Sequence, residues 1–261
     1  MMQTDLKRWQ AQRHAELSAP ESWLGMVGLF WLNLGDNRVG SADDGVVKLP
    51  GGPAILGEIV WQGERLVWRP VNGLEQPLLT DLHGSPSVID HENLSFFVVD
   101  RDGQLAVRVR NRDWASTRPF GGLSYFDYDP AWRIMADWLA LSPPLVMEVP
   151  NVSGDLKSVS VTHKAVFTVD GQTVELLPMS VGETEVFFVF RDRTSGRFSY
   201  GAGRFLKTPA AVDGKICLDF NYAYSPPCAF TAFATCPLPP AENWLGFAVT
   251  AGEQKPVVSH D

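Results

Sequence analysis

Between Trp23 and Thr80 apolar residues come in short runs, many alternating with polar ones. Each run ends in a turn-forming cluster: Gly35-Asp-Asn, Ala42-Asp-Asp-Gly, Pro50-Gly-Gly-Pro, Gln62-Gly-Glu and Val71-Asn-Gly. A period of two sends successive side chains to opposite faces of a strand, so this stretch predicts a meander of hairpins. Glu58-Ile-Val-Trp and Arg65-Leu-Val-Trp flank Gln62-Gly, while Leu94-Ser-Phe-Phe-Val-Val and Leu105-Ala-Val-Arg-Val-Arg flank Arg101-Asp-Gly-Gln, and both pairs read as hairpins with glycine at the corner. Past Pro143-Pro144 the pattern continues through Leu145-Val-Met-Glu-Val, Ser158-Val-Ser-Val-Thr, Ala165-Val-Phe-Thr-Val, Thr173-Val-Glu-Leu-Leu and Glu185-Val-Phe-Phe-Val-Phe. Strands with no helices of useful length between them argue against a doubly wound parallel sheet. They predict a mainly β protein, an antiparallel barrel or sandwich.

A few segments break the pattern. From about Thr4 to Leu17, Leu6, Trp9, Arg13 and Leu17 stand three and four residues apart among helix formers, which predicts one short amphipathic helix. The run WLGMVGLFWL from Trp23 to Leu32 is too short for a membrane span and reads as a buried strand, or a helical turn plus strand. Tyr128-Asp-Pro-Ala-Trp-Arg-Ile-Met-Ala-Asp-Trp-Leu fits a short helix capped by Asp129 with Pro130 at its first position, or a strand through Arg133-Ile-Met-Ala. Arg108, Arg110 and Arg112 alternate on one strand face, which reads as a solvated edge rather than a phosphate site. The chain then divides into an N-terminal helix (1–20), an N-terminal β meander (21–85) and a C-terminal antiparallel β domain (86–261).

Composition narrows the function classes. Of 261 residues, 45% are hydrophobic and 20% charged, the balance of a folded globular protein. A net charge of −8 argues against nucleic acid or an anionic membrane surface as partner, since both need a basic face. MMQTDLKRWQAQRHAEL contains no apolar stretch that would serve as a signal peptide, so a cytoplasmic location is expected. Three cysteines fit a reducing compartment better than a disulfide framework. No cofactor is identified, and the oligomeric state is not fixed.

Candidate chemistry concentrates in two places. The stretch from Phe190 to Leu206 reads as a hairpin in which Asp192, Thr194, Tyr200 and Arg204 can hydrogen-bond a polar ligand, and Gly201 and Gly203 allow close backbone approach. Ordinary turn residues at Thr194-Ser-Gly are the competing reading. Gly-Ala-Gly-Arg completes no GxGxxG, and neither a P-loop nor a GxSxG elbow is present. The second place is DFNYAYSPPCAFTAFATCPLPP, 219–240, with two cysteines, five aromatic rings and five prolines. Its prolines predict a stiff, aromatic-packed loop. Asp219 and Asn221, sharing a strand face with Cys217, form either a brace or a pocket lining. Cys228 and Cys236 stand too far apart for a CxxC motif and have four readings: buried small hydrophobes, a facultative disulfide, part of a metal site with His163, or a catalytic thiolate. His14, His83, His91, His163 and His260 are scattered, with no HExxH, so no metal site is assigned.

Phe190, Asp192, Thr194, Gly196 and Tyr200-Gly-Ala-Gly-Arg-Phe-Leu, then Leu218-Asp-Phe-Asn-Tyr-Ala-Tyr, Pro227-Cys228, Cys236-Pro-Leu-Pro-Pro, Glu242-Asn243 and Ala251-Gly-Glu253, form a linked series. In this series the chain resembles the bacterial and archaeal family called domain of unknown function 1684, from about Glu185 to Glu253 and more loosely from Trp23 onward. The family usually has Asn at the place of Ser225 and often Tyr at that of Pro227. The resemblance implies that the polar residues and both cysteines belong to one shared feature, and it brings no established activity. Gly35-Asp-Asn-Arg-Val-Gly-Ser with Val46-Val-Lys-Leu-Pro is similar to the opening strands of forkhead-associated domains. Ser41 stands where those modules carry a phosphothreonine-binding arginine, so only the β-sandwich is taken from that likeness.

The leading functional reading is a small-molecule site, with a catalytic option, between the 190–206 hairpin and the 219–240 loop. Arg204 would hold an anionic group, Asp192 or Asp219 would act as base or orienter, and Tyr200, Asn221 and Tyr224 would supply hydrogen bonds beside Thr194, Cys228 and Cys236. The alternative is a non-enzymatic binding or scaffold module in which these residues form a salt-bridged brace. Arg204 paired with Asp219 and sealed under aromatics would mark the brace; both opening onto one cavity would mark the site.

Overall fold

Helix α1 (Met2–Ser18) opens a chain that is otherwise strands and single helical turns. The computed structural model describes residues 2–117, 120–152, 154 and 156–257, so His260 lies outside the described residues. Leu6 and Leu17 are buried and Trp9 and Arg13 half-buried, while most of the remaining helix surface is exposed, the stripe expected from their spacing. The chain divides into two compact units: Glu16–Phe120, and Met1–Ala15 together with Gly121–Asp261. Among the described residues no helix is long and apolar enough to cross a membrane.

In the unit Glu16–Phe120, the Ser22 hydroxyl accepts the Leu24 N–H (3.2 Å) and starts a single turn, Trp23–Gly25, before the chain extends. The strands are β1 (Met26–Trp31), β2 (Gly35–Gly40), β3 (Val47–Lys48), β4 (Gly57–Gln62), β5 (Arg65–Pro70), β6 (Gln76–Pro77), β7 (Val88–His91), β8 (Leu94–Arg101) and β9 (Gln104–Asn111). They form two sheets, β3-β2-β4-β5-β6 and β1-β9-β8-β7. The inward residues of both sheets, among them Val39, Ile59, Trp68, Phe96, Val98 and Val107, make one core, so this unit is a sandwich. Both predicted hairpins form, β4–β5 and β8–β9, with Gly63, Asp102 and Gly103 at positive φ in the corners.

The arginine series differs from its reading as a solvated edge. β9 is an inner strand; Arg108 is buried with its guanidinium 4.8 Å from the Trp23 ring, Arg110 lies 5.3 Å from Phe97, and Arg112 donates to Asp90 (2.8 Å). Stacking on rings covers the long apolar stems of two of the three cations.

In the other unit, Asp129 caps one turn, Pro130–Trp132, by accepting the Ala131 N–H (2.8 Å), and the backbone then extends. The predicted helix therefore stops after a single turn, and the strand alternative prevails from Arg133. The strands are β10 (Arg133–Pro150), β11 (Leu156–Val169), β12 (Gln172–Leu176), β13 (Ser180–Val181), β14 (Glu185–Phe190), β15 (Arg204–Pro209) and β16 (Lys215–Asp219), in the sheets β12-β11-β10-β16 and β13-β14-β15. Pro143 and Pro144 do not end the strand. The pairing register shifts between Ala140 and Leu145, so the residues that cannot donate sit in a bulge while the strand carries on. Ala165, Phe167 and Leu176 from one sheet meet Val186, Phe188, Phe190 and Leu206 from the other, with Ile216, Leu218 and Phe220 closing the core.

Candidate functional site

The connection from β14 to β15 is built around a buried ion pair. Asp192 Oδ1 accepts the N–H groups of Thr194 (2.7 Å) and Val249 (3.2 Å), which spends one carboxylate oxygen on shaping the turn. Its Oδ2 takes Arg204 Nη2 at 2.9 Å, with side-chain exposures of 0% for Arg204 and 1% for Asp192. Arg204 also donates to the carbonyls of Val249 (2.8 Å) and Ala251 and lies between the Phe126 and Phe190 rings. Burial pulls the guanidinium's pKa down while Asp192 opposes it. The pair thus ties the hairpin to the segment 249–253. Thr194 is likewise internal, its hydroxyl 2.7 Å from that of Ser199.

Gly203 enters β15 with φ +100°, and a Cβ there would come within 2.5 Å of the Phe190 carbonyl and 2.6 Å of Pro239. Gly203→Ala is expected to cost about 1–3 kcal/mol through backbone strain, read as a lower urea midpoint with an unchanged slope.

Asp219, the last residue of β16, shares a strand face with Cys217 as the alternation predicts, but Asn221 does not. β16 ends at Asp219, whose Oδ1 accepts the Asn221 N–H (3.2 Å) and caps the turn Phe220–Tyr222, a local bond that competes with strand pairing. Asn221 is buried and spends its amide on Asp219 (2.9 Å) and on both backbone groups of Asp129 (3.1 and 2.9 Å). Asp219 Oδ2 stays half-buried, 3.7 Å from Arg133. Neither residue pairs with Arg204.

Beyond the turn the loop meets Glu253, whose side chain has 0% exposure. Glu253 pairs with Arg13 of α1 and accepts the Ser225 N–H (2.7 Å), and Arg13 donates to the Ser225 carbonyl (2.8 Å) while lying 4.6 Å from the Tyr224 ring. Trp9 meets Tyr125, Tyr222 and Tyr224 edge-on, and Tyr125 forms a β-bridge with Glu253. Two buried hydroxyls in this aromatic cluster, Tyr125 Oη and Ser225 Oγ, have no hydrogen-bond partner. Such orphans are uncommon because each forfeits the hydrogen bond it would make in water.

Burial, with smaller charge effects, raises the phenol pKa of Tyr125, Tyr224 and Tyr200. A group raised in the folded state contributes stability fully present below its unfolded pKa and lost as pH rises towards the folded value. Stability is therefore expected to fall above about pH 10, where unfolded tyrosines ionise, with tyrosinate absorbance and loss of circular dichroism rising together.

At the loop apex, Tyr200 Oη donates to the Cys228 carbonyl (2.8 Å), which joins the hairpin to the loop. The Cys228 N–H donates to Cys236 Sγ at 3.3 Å. Cys217, Cys228 and Cys236 are all thiols, with Cys228 half-buried and Cys236 buried. A hydrogen bond from Cys236 is the largest influence on the Cys228 thiol and holds it below its usual pKa against the effect of burial, whereas burial pushes Cys217 up. His163 stacks on Trp138 at 5.2 Å, and among the described residues no group of three or more His, Cys, Asp and Glu is placed to hold a metal ion.

Of the residues singled out from sequence, the structure thus gathers Tyr200, Tyr224, Cys228 and Cys236 around the loop, sets Asp192, Thr194, Arg204 and Asn221 inside as hydrogen-bonded supports, with Arg204 Nε alone among its guanidinium nitrogens left without a partner, and leaves Asp219 at the end of β16. Glu253, Arg13, Tyr125 and Asn243 received no role from sequence. Asn243 is buried and bonds Leu177 through both backbone groups (2.9 and 2.8 Å) and the Val189 carbonyl (2.8 Å). Only Glu253 and Asn243 carried a signal, as members of the linked series.

The model of a family described as "Protein of unknown function (DUF1684)" matches residues 118–254, which contain the whole series from Glu185 to Glu253. The solution NMR structure of an uncharacterized protein of Haloarcula marismortui is 36% identical, with a TM-score of 0.43, over 55% of this chain and 86% of that one. No curated protein matches.

Proposed function

This chain belongs to the family of proteins of unknown function DUF1684, and from that premise we propose that it binds a small molecule where the 190–206 hairpin meets the 219–240 loop. The observation that carries the reading is the pair of orphaned buried hydroxyls, Tyr125 Oη and Ser225 Oγ, beside the Glu253–Arg13 pair and walled by Trp9, Tyr222 and Tyr224. Aromatic walls with a few convergent polar groups suit a ligand with a flat apolar body and hydrogen-bonding substituents. Tyr200, Tyr224, Cys228 and Cys236 would flank the ligand, and the half-buried Asp219 with Tyr200 would be the groups open to a catalytic use. Asp192, Arg204, Thr194 and Asn221 would hold the loops in register.

Native mass spectrometry of the full chain purified without additives tests this, beside Tyr125→Phe and Ser225→Ala. Each variant removes an orphan, so the fold should be as stable or slightly more so, and a bound mass present in the wild type should disappear. A bare wild-type chain whose melting temperature no member of an aromatic metabolite library raises would discard the ligand reading. It would leave the scaffold alternative, which the sealing of Asp192 and Arg204 from solvent favours.

A further inference from the structure

Cys228 and Cys236 lie at the two ends of one loop that the rest of the unit holds in place. At one end Tyr200 Oη holds the Cys228 carbonyl and the Ala229 N–H bonds the Pro226 carbonyl (2.9 Å). At the other, the Cys236 carbonyl accepts the Val152 N–H (3.1 Å), Pro237 bridges to Asn151, and the Leu238 N–H bonds the Pro150 carbonyl (2.7 Å). Prolines on both flanks stiffen these anchors. The separation of the two cysteines is therefore set by the fold and not by a bond between them. Cys236 Sγ sits 3.3 Å from the Cys228 amide nitrogen, which brings the two residues into the range that a disulfide spans.

We propose that Cys228 and Cys236 form a reversible thiol–disulfide site, with the half-buried Cys228 as the reactive thiol, the buried Cys236 as its resolving partner, and a hydroperoxide as the oxidant. The Cys228 thiolate attacks the outer peroxide oxygen, the O–O bond breaks, and the departing oxygen takes a proton, leaving a sulfenic acid on Cys228. Cys236 sulfur then attacks the Cys228 sulfur; the S–S bond forms, the S–O bond breaks, and the hydroxyl leaves as water with the Cys236 proton. Two thiols are oxidised by two electrons in total and one hydroperoxide is reduced. The hydrogen bond from Cys236 that lowers the Cys228 pKa favours the thiolate this chemistry needs. Cys217, on β16 with its thiol pKa raised by burial, is the internal control. The two thiols also flank the ligand position proposed above, but their oxidation needs no bound ligand, so the peroxide test can fail without the ligand reading failing, and the reverse.

The test treats the reduced full chain with one equivalent of hydrogen peroxide and reads intact mass and peptide maps. Expected are the loss of two hydrogens, a Cys228–Cys236 link that a dithiol reductant reverses, and Cys217 still open to alkylation, with Cys228 reacting about tenfold faster than Cys217. Cys236→Ser should instead trap a sulfenic acid on Cys228 that a 1,3-dione captures. A link through Cys217, a dimer joined through Cys228, irreversible sulfinate without a disulfide, or thiols that react only after unfolding would each overturn the proposal. Circular dichroism on the same samples tells reaction of the folded chain from reaction of an unfolded one.

Discussion

Arg204→Met is expected to destabilise the unit Met1–Ala15 with Gly121–Asp261 by about 3–5 kcal/mol. The side chain has no exposure, and its loss leaves the Asp192 carboxylate buried without its cation and the carbonyls of Val249 and Ala251 without a donor. Coulomb attraction is the smaller part of this cost; an uncompensated buried charge is the larger. Arg204→Met combined with Asp192→Asn should accordingly recover part of the loss, because the amide keeps an oxygen for the Thr194 and Val249 N–H groups. Urea unfolding of both variants reads the difference. If the double variant were as unstable as the sum of the two singles, the pair would not act as a unit.

The second large effect concerns Glu253 and is asymmetric. Arg13→Ala leaves a carboxylate of 0% exposure with the Ser225 N–H as its remaining partner, and a loss of about 3–5 kcal/mol is expected. Glu253→Ala strands Arg13, which keeps 16% exposure and a bond to the Ser225 carbonyl, so it should rehydrate and cost about 2–3 kcal/mol. Urea midpoints of the two variants check the order. Equal effects would mean that the cation is as trapped as the anion. The outcome bears on the ligand reading too, since the orphaned hydroxyls of Tyr125 and Ser225 stand around this carboxylate.

The candidate site was half legible. The linked series contains Asp192, Arg204, Asn243 and Glu253, and all four are buried polar residues whose bonds hold loops. Residue type and neighbourhood mark them as exceptional, but the same marks fit a catalytic group and a brace, and burial alone separates them. Arg204 shows this: a donor of five N–H groups beside glycines suits an anion site on paper, yet its partners are Asp192 and backbone carbonyls. Trp9, Arg13 and Tyr125 could not be assigned at all. They lie far along the chain from the residues they meet, Arg13 being 240 positions from Glu253.

What the sequence determined by itself is local. The alternation of apolar residues specifies which face of each strand is buried, glycine and aspartate specify where hairpins turn, and the spacing of Leu6, Trp9, Arg13 and Leu17 specifies the helix, because periodicity of two or about three and a half acts within a few residues. The linked series determined the family. What only the tertiary structure decided is which elements meet. β1 pairs with β9 and makes Arg108 an inner residue; Asp219 caps a turn and takes Asn221 off the strand; Asp192 and not Asp219 receives Arg204. The cap itself is local, but it is held by the bonds of Asn221 to Asp129, 92 positions away, and like the β1–β9 pairing it closes a long loop, so the favourable contact that repays the loop entropy exists only once both elements are in place.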